Sequence, residues 1–222
     1  MSQEIKTIKL KFFCGLASVN CYLIKTDQGF ILIDTGISKS REKLEKELKS
    51  AGCNPKNLKL IIITHGDTDH TGNCSYLREK YHTKIAMHQS DQGMVEKGDM
   101  LWNRKGNILL EIINPFMGLS KSDRFKPDFY IDEKFKLSEY GLDAQIIHIP
   151  GHSLGSIGIL TKEGDLFCGD LLSNHKKPTI NSIMDDKTTA KESIEKLRKF
   201  NINSVFPGHG ESFSWNNFIQ FE

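Results

Sequence analysis

An unbroken apolar run of strand length, LKLIIITH at residues 58–65, leads directly into HGDTDH at residues 65–70. A strand with no polar alternation is buried on both faces, so its sheet must be covered by a layer on each side. Its C-terminal end delivers His65, Asp67, Asp69 and His70 into a loop, where the sites of layered α/β proteins form. Solvated charge rarely needs four potential ligands in six residues. In an extended loop His65, Asp67 and Asp69 point to one side, and His70 reaches a second metal where the backbone turns sharply.

The surrounding chain reads as two similar halves. IKTIKLKFF, NCYLIKT and GFILIDTG predict a meandering sheet, and SKSREKLEKELKSAG predicts a surface helix with Leu44 and Leu48 on its inner stripe and Gly52 at its end. NCSYLREKY predicts a helix and KIAMH a short strand. In the second half DAQIIHIPGH, SIGILTKEG and DLFCGD predict strands, DKTTAKESIEKLRKF a helix, and NSVFPGHG a strand ending in a histidine loop. Sheets packed face to face with helices outside satisfy both halves. A single domain over residues 1–222 is expected, with 94–127 as an insertion forming a lid, pocket wall or dimer contact. Ile108, Ile112 and Phe116 give that insertion an apolar helical stripe, read as ordinary core packing.

Further potential ligands stand at later strand ends: His152 in PGHSLGS, Asp170 in CGD and His209 in PGHG, each beside glycine. Together with HGDTDH and the Asp34 of ILIDTG, this ordered set resembles the metallo-β-lactamase fold superfamily. Its signature runs THxHxDH, then Gly-His, then Gly-Asp, then a C-terminal Gly-His. The match extends from Asp34 to His209. The resemblance implies a four-layer αββα sandwich with the site at one edge of the paired sheets. It implies His65, Asp67 and His152 on one metal, Asp69, His70 and His209 on a second, and Asp170 as the bridge. Asp34 takes the place of the family's supporting aspartate; a plain turn residue is the alternative.

The departure is Asp67, which stands where the family has its second histidine. A carboxylate oxygen lies as many bonds from Cβ as the Nδ1 used there, so coordination is sterically reasonable; the alternative is a non-ligand that hydrogen-bonds the loop. With Asp67, Asp69, Asp170 and a bridging hydroxide, four negative charges face two divalent cations, whereas histidine would leave one positive charge. Two divalent ions are expected: zinc, with manganese or iron plausible because Asp67 favours oxygen-preferring metals. A flavodiiron-like branch of the superfamily has Glu at this position and binds iron.

The expected activity is hydrolysis by a metal-bridging hydroxide of an ester, thioester, lactone or phosphoester, with metals roughly 3.5–4 Å apart and Asp69 orienting the nucleophile. No GxSxG motif suggests a serine nucleophile. An iron-dependent oxidoreductase and a non-catalytic metal-binding protein of the same fold are the alternatives. Fold alone does not fix the substrate.

The net charge of +2, from 30 basic and 28 acidic residues, argues against nucleic acid or membrane partners and leaves a small-molecule substrate. His175, Lys176 and Lys177 follow the Asp170 loop and would steer an anionic substrate if they face the pocket; a solvated loop is the plainer reading. His82, His88 and His148 read as surface or satisfied core residues. Five cysteines, Cys14, Cys21, Cys53, Cys74 and Cys168, form no CxxC pair and read as reduced, mostly buried thiols, with Cys168 close in sequence to Asp170. MSQEIKTIKL lacks the apolar core of a signal peptide, and no run is long enough to span a bilayer, so a cytoplasmic location is expected. Oligomeric state stays open, with a homodimer through 94–127 as one form. Phe213, Trp215 and Phe218 are expected to dock the C-terminal tail on the core.

Overall fold

The computed structural model describes residues 4–12, 15–104 and 118–221. The first half forms a sheet of β1 (Ile5–Phe12), β2 (Ala17–Thr26), β3 (Gly29–Ile33), β4 (Leu58–Ile62), β5 (Lys84–Met87) and β6 (Phe129–Tyr130), in that spatial order. β1, β2 and β3 pair antiparallel; β3 through β6 pair in parallel. Its helices are α1 (Arg41–Ser50), α2 (Thr68–Thr71), α3 (Cys74–Tyr81) and α4 (Gln92–Lys97). The second sheet contains β7 (Ala144–His148), β8 (Ile157–Thr161), β9 (Asp165–Asn174), β10 (Pro178–Ile180), β11 (Ser204–Gly210) and β12 (Phe213–Ser214). Its order is β12-β11-β9-β8-β7, with β10 on β9, and its helices are α5 (Lys187–Leu197) and α6 (Trp215–Phe221).

Three apolar clusters define four layers. Alternate residues of a strand point to opposite faces, so in β4 Ile61 packs outward while Leu60 and Ile62 pack inward; Leu58 also packs outward because the β3–β4 register slips by one residue beside it. β3 does the same, with Phe30 and Leu32 outward and Ile31 and Ile33 inward. The outward cluster is closed by Leu44 and Leu48 of α1 and by Leu77 and Tyr81 of α3. Between the sheets, Ile31, Ile33, Leu60 and Ile62 meet Ile146, Ile157, Ile159 and Phe167. On the far side Ala190, Ile194 and Leu197 of α5, with Trp215 and Phe218 of α6, cover the second sheet. The chain is therefore an αββα sandwich, as the apolar patterning requires, and Phe213, Trp215 and Phe218 dock the tail.

Cys21, Cys53, Cys74 and Cys168 are free and buried, while Cys14 lies outside the described residues. Cys168 faces the outer core beneath α5 rather than the ligand loops, and burial pushes its thiol up to about 12. Ile108, Ile112 and Phe116 also lie outside the described residues. No helix among the described residues is long and apolar enough to cross a membrane.

Phe167 is fully buried at the sheet–sheet interface, with ring centroids 5.1 Å from Tyr22 and 4.9 Å from Phe206. Phe167→Ala should lower unfolding free energy by about 3–5 kcal/mol. Denaturant titration checks this, and a loss below about 1 kcal/mol would mean the sheets do not depend on that contact.

Candidate metal centre

The ligand segment starts as expected and then departs from an extended loop. His65 and Asp67 lie just beyond β4, with Asp67 still extended at φ −65° and ψ 145°. Thr68–Thr71 then forms one helical turn, α2, anchored by Thr71 Oγ1 donating to the Asp67 carbonyl at 3.0 Å. Asp69 and His70 therefore leave the line of His65 and Asp67 by rotation about a helix axis. His152 stands between β7 and β8. Asp170 lies inside β9 rather than at its end, just after Gly169, whose φ of +52° lets that strand bend. His209 lies in β11, which runs parallel to β9.

These seven side chains meet at one edge of both sheets. His65, Asp67 and His152 form one group, Asp69, His70 and His209 a second, and His65, His70 and Asp170 a third that links them, with ligand atoms inside each group no more than 4.8 Å apart. Asp67 Oδ2 is 3.0 Å from His152 Nε2 and 3.6 Å from His65 Nε2. His209 Nε2 is 3.3 Å from Asp69 Oδ2 and 3.1 Å from Asp170 Oδ2, while Asp170 Oδ1 lies 3.4 Å from His70 Nε2.

Four atoms of this cluster, Nε2 of His65, Nε2 of His70 and the Oδ1 atoms of Asp67 and Asp170, are buried without a hydrogen-bond partner, Asp67 Oδ1 lying against a guanidinium instead. Buried polar atoms are normally satisfied, and mixed imidazole and carboxylate donors at this spacing suit divalent cations. Gly208 completes the cradle, because a Cβ there would overlap the Asp170 carboxylate and come within 2.7 Å of the His70 ring. The residues fit the metals that the sequence resemblance implies.

Every histidine of the cluster is oriented through its other nitrogen. His152 Nδ1 donates to the Ile183 carbonyl at 2.7 Å, and His209 Nδ1 to the Ser18 carbonyl at 2.6 Å. His70 Nδ1 meets Asp34 Oδ2 at 2.7 Å. Thr64 Oγ1 also donates to Asp34 Oδ2, at 2.8 Å, so its oxygen accepts from His65 Nδ1 at 3.0 Å. Each such bond puts the proton on Nδ1 and leaves the Nε2 lone pair facing the cluster. Asp34 itself is buried at φ +58°, and its other oxygen accepts the Thr64 N–H at 2.9 Å. It is the supporting aspartate, not a free turn residue.

Two buried charged residues escaped the sequence reading. Arg104, 2% exposed, puts its Nη2 2.8 Å from Asp67 Oδ1 and its Nε 3.2 Å from Asp185 Oδ2. Burial alone would raise the Asp67 carboxyl, but Arg104 and His152 hold it well below the usual range. The available signal was the basic pair of Arg104 and Lys105 in MLWNRKGN, just after the apolar Met100, Leu101 and Trp102. Asp91 accepts from Gly66 N at 2.9 Å, Ser153 Oγ at 2.6 Å and Gly155 N at 2.7 Å, clamping the His65 loop to the His152 loop. His88 and His148 are not solitary: their rings stack at 4.3 Å, and neither belongs to the ligand groups. His82 is exposed in the left-handed region. His175 is exposed with its ring 6.3 Å from that of His209, and Lys176 and Lys177 are exposed beside it.

The cluster's charges predict how metal-free protein responds to pH. Burial opposes charge on all four histidines and prevails at His65, which is lowered, yet neighbouring carboxylates raise His70, His152 and His209 above their ordinary value, so raised histidines outnumber the lowered one. Asp67 and Asp170 are held well below theirs, against burial, by Arg104 and by histidines. A raised histidine stabilises the fold below its unfolded value of about 6.5 and loses that contribution as pH rises through the folded value; a depressed aspartate does so above about 3.9 and loses it on acidification. Chelated protein should therefore show its highest Tm between about pH 4 and 6.5 and a falling Tm toward pH 9. A flat profile would contradict this coupling. Asp34→Asn should weaken metal binding about 10–100-fold in chelator competition.

Comparison with known proteins agrees with this geometry. The profile of the metallo-beta-lactamase superfamily matches residues 14–209. A probable metallo-hydrolase of Methanocaldococcus jannaschii is 32% identical over 203 residues, covering 87% of this chain and 88% of that protein. Hydroxyacylglutathione hydrolase GloC of Haemophilus influenzae is 31% identical over 69% of this chain and 66% of its own length. Acyl-coenzyme A thioesterase MBLAC2 of Gallus gallus is 24% identical over 93% of this chain and 77% of its own. Among solved structures, TTHA1623 in a di-iron-bound form superposes with a TM-score of 0.72 at 24% identity, covering 93% of this chain and 94% of that one. The BLEG-1 B3 metallo-beta-lactamase gives 0.75 at 20% identity, covering 98% and 97%. With its sandwich, its converging ligand loops and a profile match over most of its length, the chain belongs to the metallo-beta-lactamase superfamily of metal-dependent hydrolases.

Proposed function

We propose that this protein is a dinuclear metal-dependent thioester hydrolase. The observation that carries the reading is that Asp170 stands with His65 of the first three-residue group and His70 of the second, their ligand atoms within 4.8 Å of one another, while its other oxygen lies 3.1 Å from His209. His65, Asp67 and His152 would hold one ion, Asp69, His70 and His209 the other, and Asp170 both. When bound, such a pair supplies an activated water and Lewis-acid stabilisation of the oxygen charge that develops on an acyl centre.

The chain's own residues do the rest. Nδ1 bonds to Asp34, Thr64, Ile183 and Ser18 fix the imidazoles, so little reorganisation accompanies the reaction. Asp69, whose Oδ2 lies between His209 and His70, orients the nucleophile. No serine or cysteine nucleophile is needed, and buried Cys168 offers none. Exposed His175, Lys176 and Lys177, beside His209, give an anionic substrate a favourable approach. Among the ester-type substrates open to this chemistry, thioesters are favoured because a hydroxyacylglutathione hydrolase and an acyl-coenzyme A thioesterase are both relatives.

A panel of hydroxyacylglutathione and acyl-coenzyme A thioesters, lactones, simple esters and phosphodiesters tests this, using protein with its native metal quantified. Thioester turnover should exceed the others, and Asp170→Ala or His152→Ala should lower it by more than the about 100-fold reached when only a supporting residue is lost. Selective cleavage of phosphodiesters, or full activity in either folded variant, would refute the proposal.

A further inference from the structure

The Asp67 carboxylate is divided between two environments. Oδ2 faces His65 and His152 within the cluster, whereas Oδ1 faces the buried guanidinium of Arg104. A carboxylate with one oxygen toward a cation site and the other against a fixed positive charge differs from the free carboxylate assumed when charges are counted from sequence. Three carboxylates against two divalent cations leave one positive charge, and a histidine in place of Asp67 would leave two. Arg104 returns positive charge on the Oδ1 side of Asp67, shared with Asp185. The neutral site expected from the sequence thus did not include Arg104.

We infer that Asp67 and Arg104 act as a unit that replaces one neutral histidine: Asp67 provides the ligand atom and Arg104 cancels its charge. Resting on the metal-centre reading above, this makes Arg104 a positioning and charge-compensating residue for the first metal group. The guanidinium is held for that role. Its Nε edge meets Asp185, a weaker anion than Asp67 because burial pushes its carboxyl up to about 6. Two residues earlier, Trp102 packs against Gly93 of α4 so closely that a Cβ there would overlap the indole, and Lys97 Nζ sits 3.5 Å above the ring. A buried cation that loses the nearer of its two carboxylates is strongly destabilising, so positions 67 and 104 cannot vary independently.

The test is a double-substitution cycle on the full-length protein: wild type, Arg104→Met, Asp67→His and Asp67→His/Arg104→Met. The readouts are bound metal per chain by elemental analysis and the chelator concentration that releases it. Asp67→His alone places a neutral ligand beside a guanidinium left with Asp185 as its carboxylate partner and should release metal readily. Removing Arg104 in that background should improve retention at least about tenfold. No improvement, or a further loss, overturns the inference. Arg104→Lys, which keeps the charge, must fold and retain metal within a few-fold of wild type; if it folds and loses metal, the inference also fails. Wild-type protein that binds no added zinc, manganese or iron would instead defeat the metal-centre reading itself, so the two failures are distinguishable.

Discussion

One buried carboxylate organises the site. Asp34 lies just past β3, and its Oδ2 collects His70 Nδ1 and the Thr64 hydroxyl while its Oδ1 takes the Thr64 amide. Through Thr64 it also sets His65, so one residue determines which nitrogen of two imidazoles faces the cluster. Buried hydrogen-bond networks of this kind work only when complete, because each unpaired member keeps its full desolvation cost. The strained φ of Asp34 is tolerated because these bonds, together with its own N–H to the Ile62 carbonyl, determine its conformation.

The remaining groups are brought in by pairing between the halves. Ile157 N donates to the Thr64 carbonyl, joining the start of β8 to the segment that carries His65. Asp91 ties the His65 loop to the His152 loop from the side of α4. Asn20 Nδ2 reaches the carbonyls of Pro207 and Gly210, and the Tyr22 hydroxyl reaches Pro207 at 2.6 Å, holding the β11 segment that carries His209 against β2. The cluster therefore occupies the seam between two sheets rather than a pocket in either.

How much of this was visible beforehand depends on whether the cause was local. The apolar runs of β3 and β4 identified strands covered on both faces, and the four-layer arrangement followed. HGDTDH and the three later glycine-flanked ligands were visible as clustered donors. The helical turn at Thr68–Thr71 was not, because two aspartates alternating with other residues look equally natural in an extended loop. Arg104 and Asp91 were missed for a different reason: each acts through a partner distant in sequence, and nothing adjacent to either marks it. The stacking of His88 on His148 likewise depends on two strands from different sheets meeting.

The His209 bond to the Ser18 carbonyl spans 191 positions, and that separation orders events during synthesis. His65, Asp67, Asp69 and His70 leave the ribosome long before the strand that completes their second group. Long-range pairing of this sort is slow to form, because chain entropy must be lost before the contact is made. A nascent chain thus carries an incomplete donor set until its C-terminal part has been made. The complete set of donor groups exists only in the finished sandwich, after β11 has docked against β2 and β9.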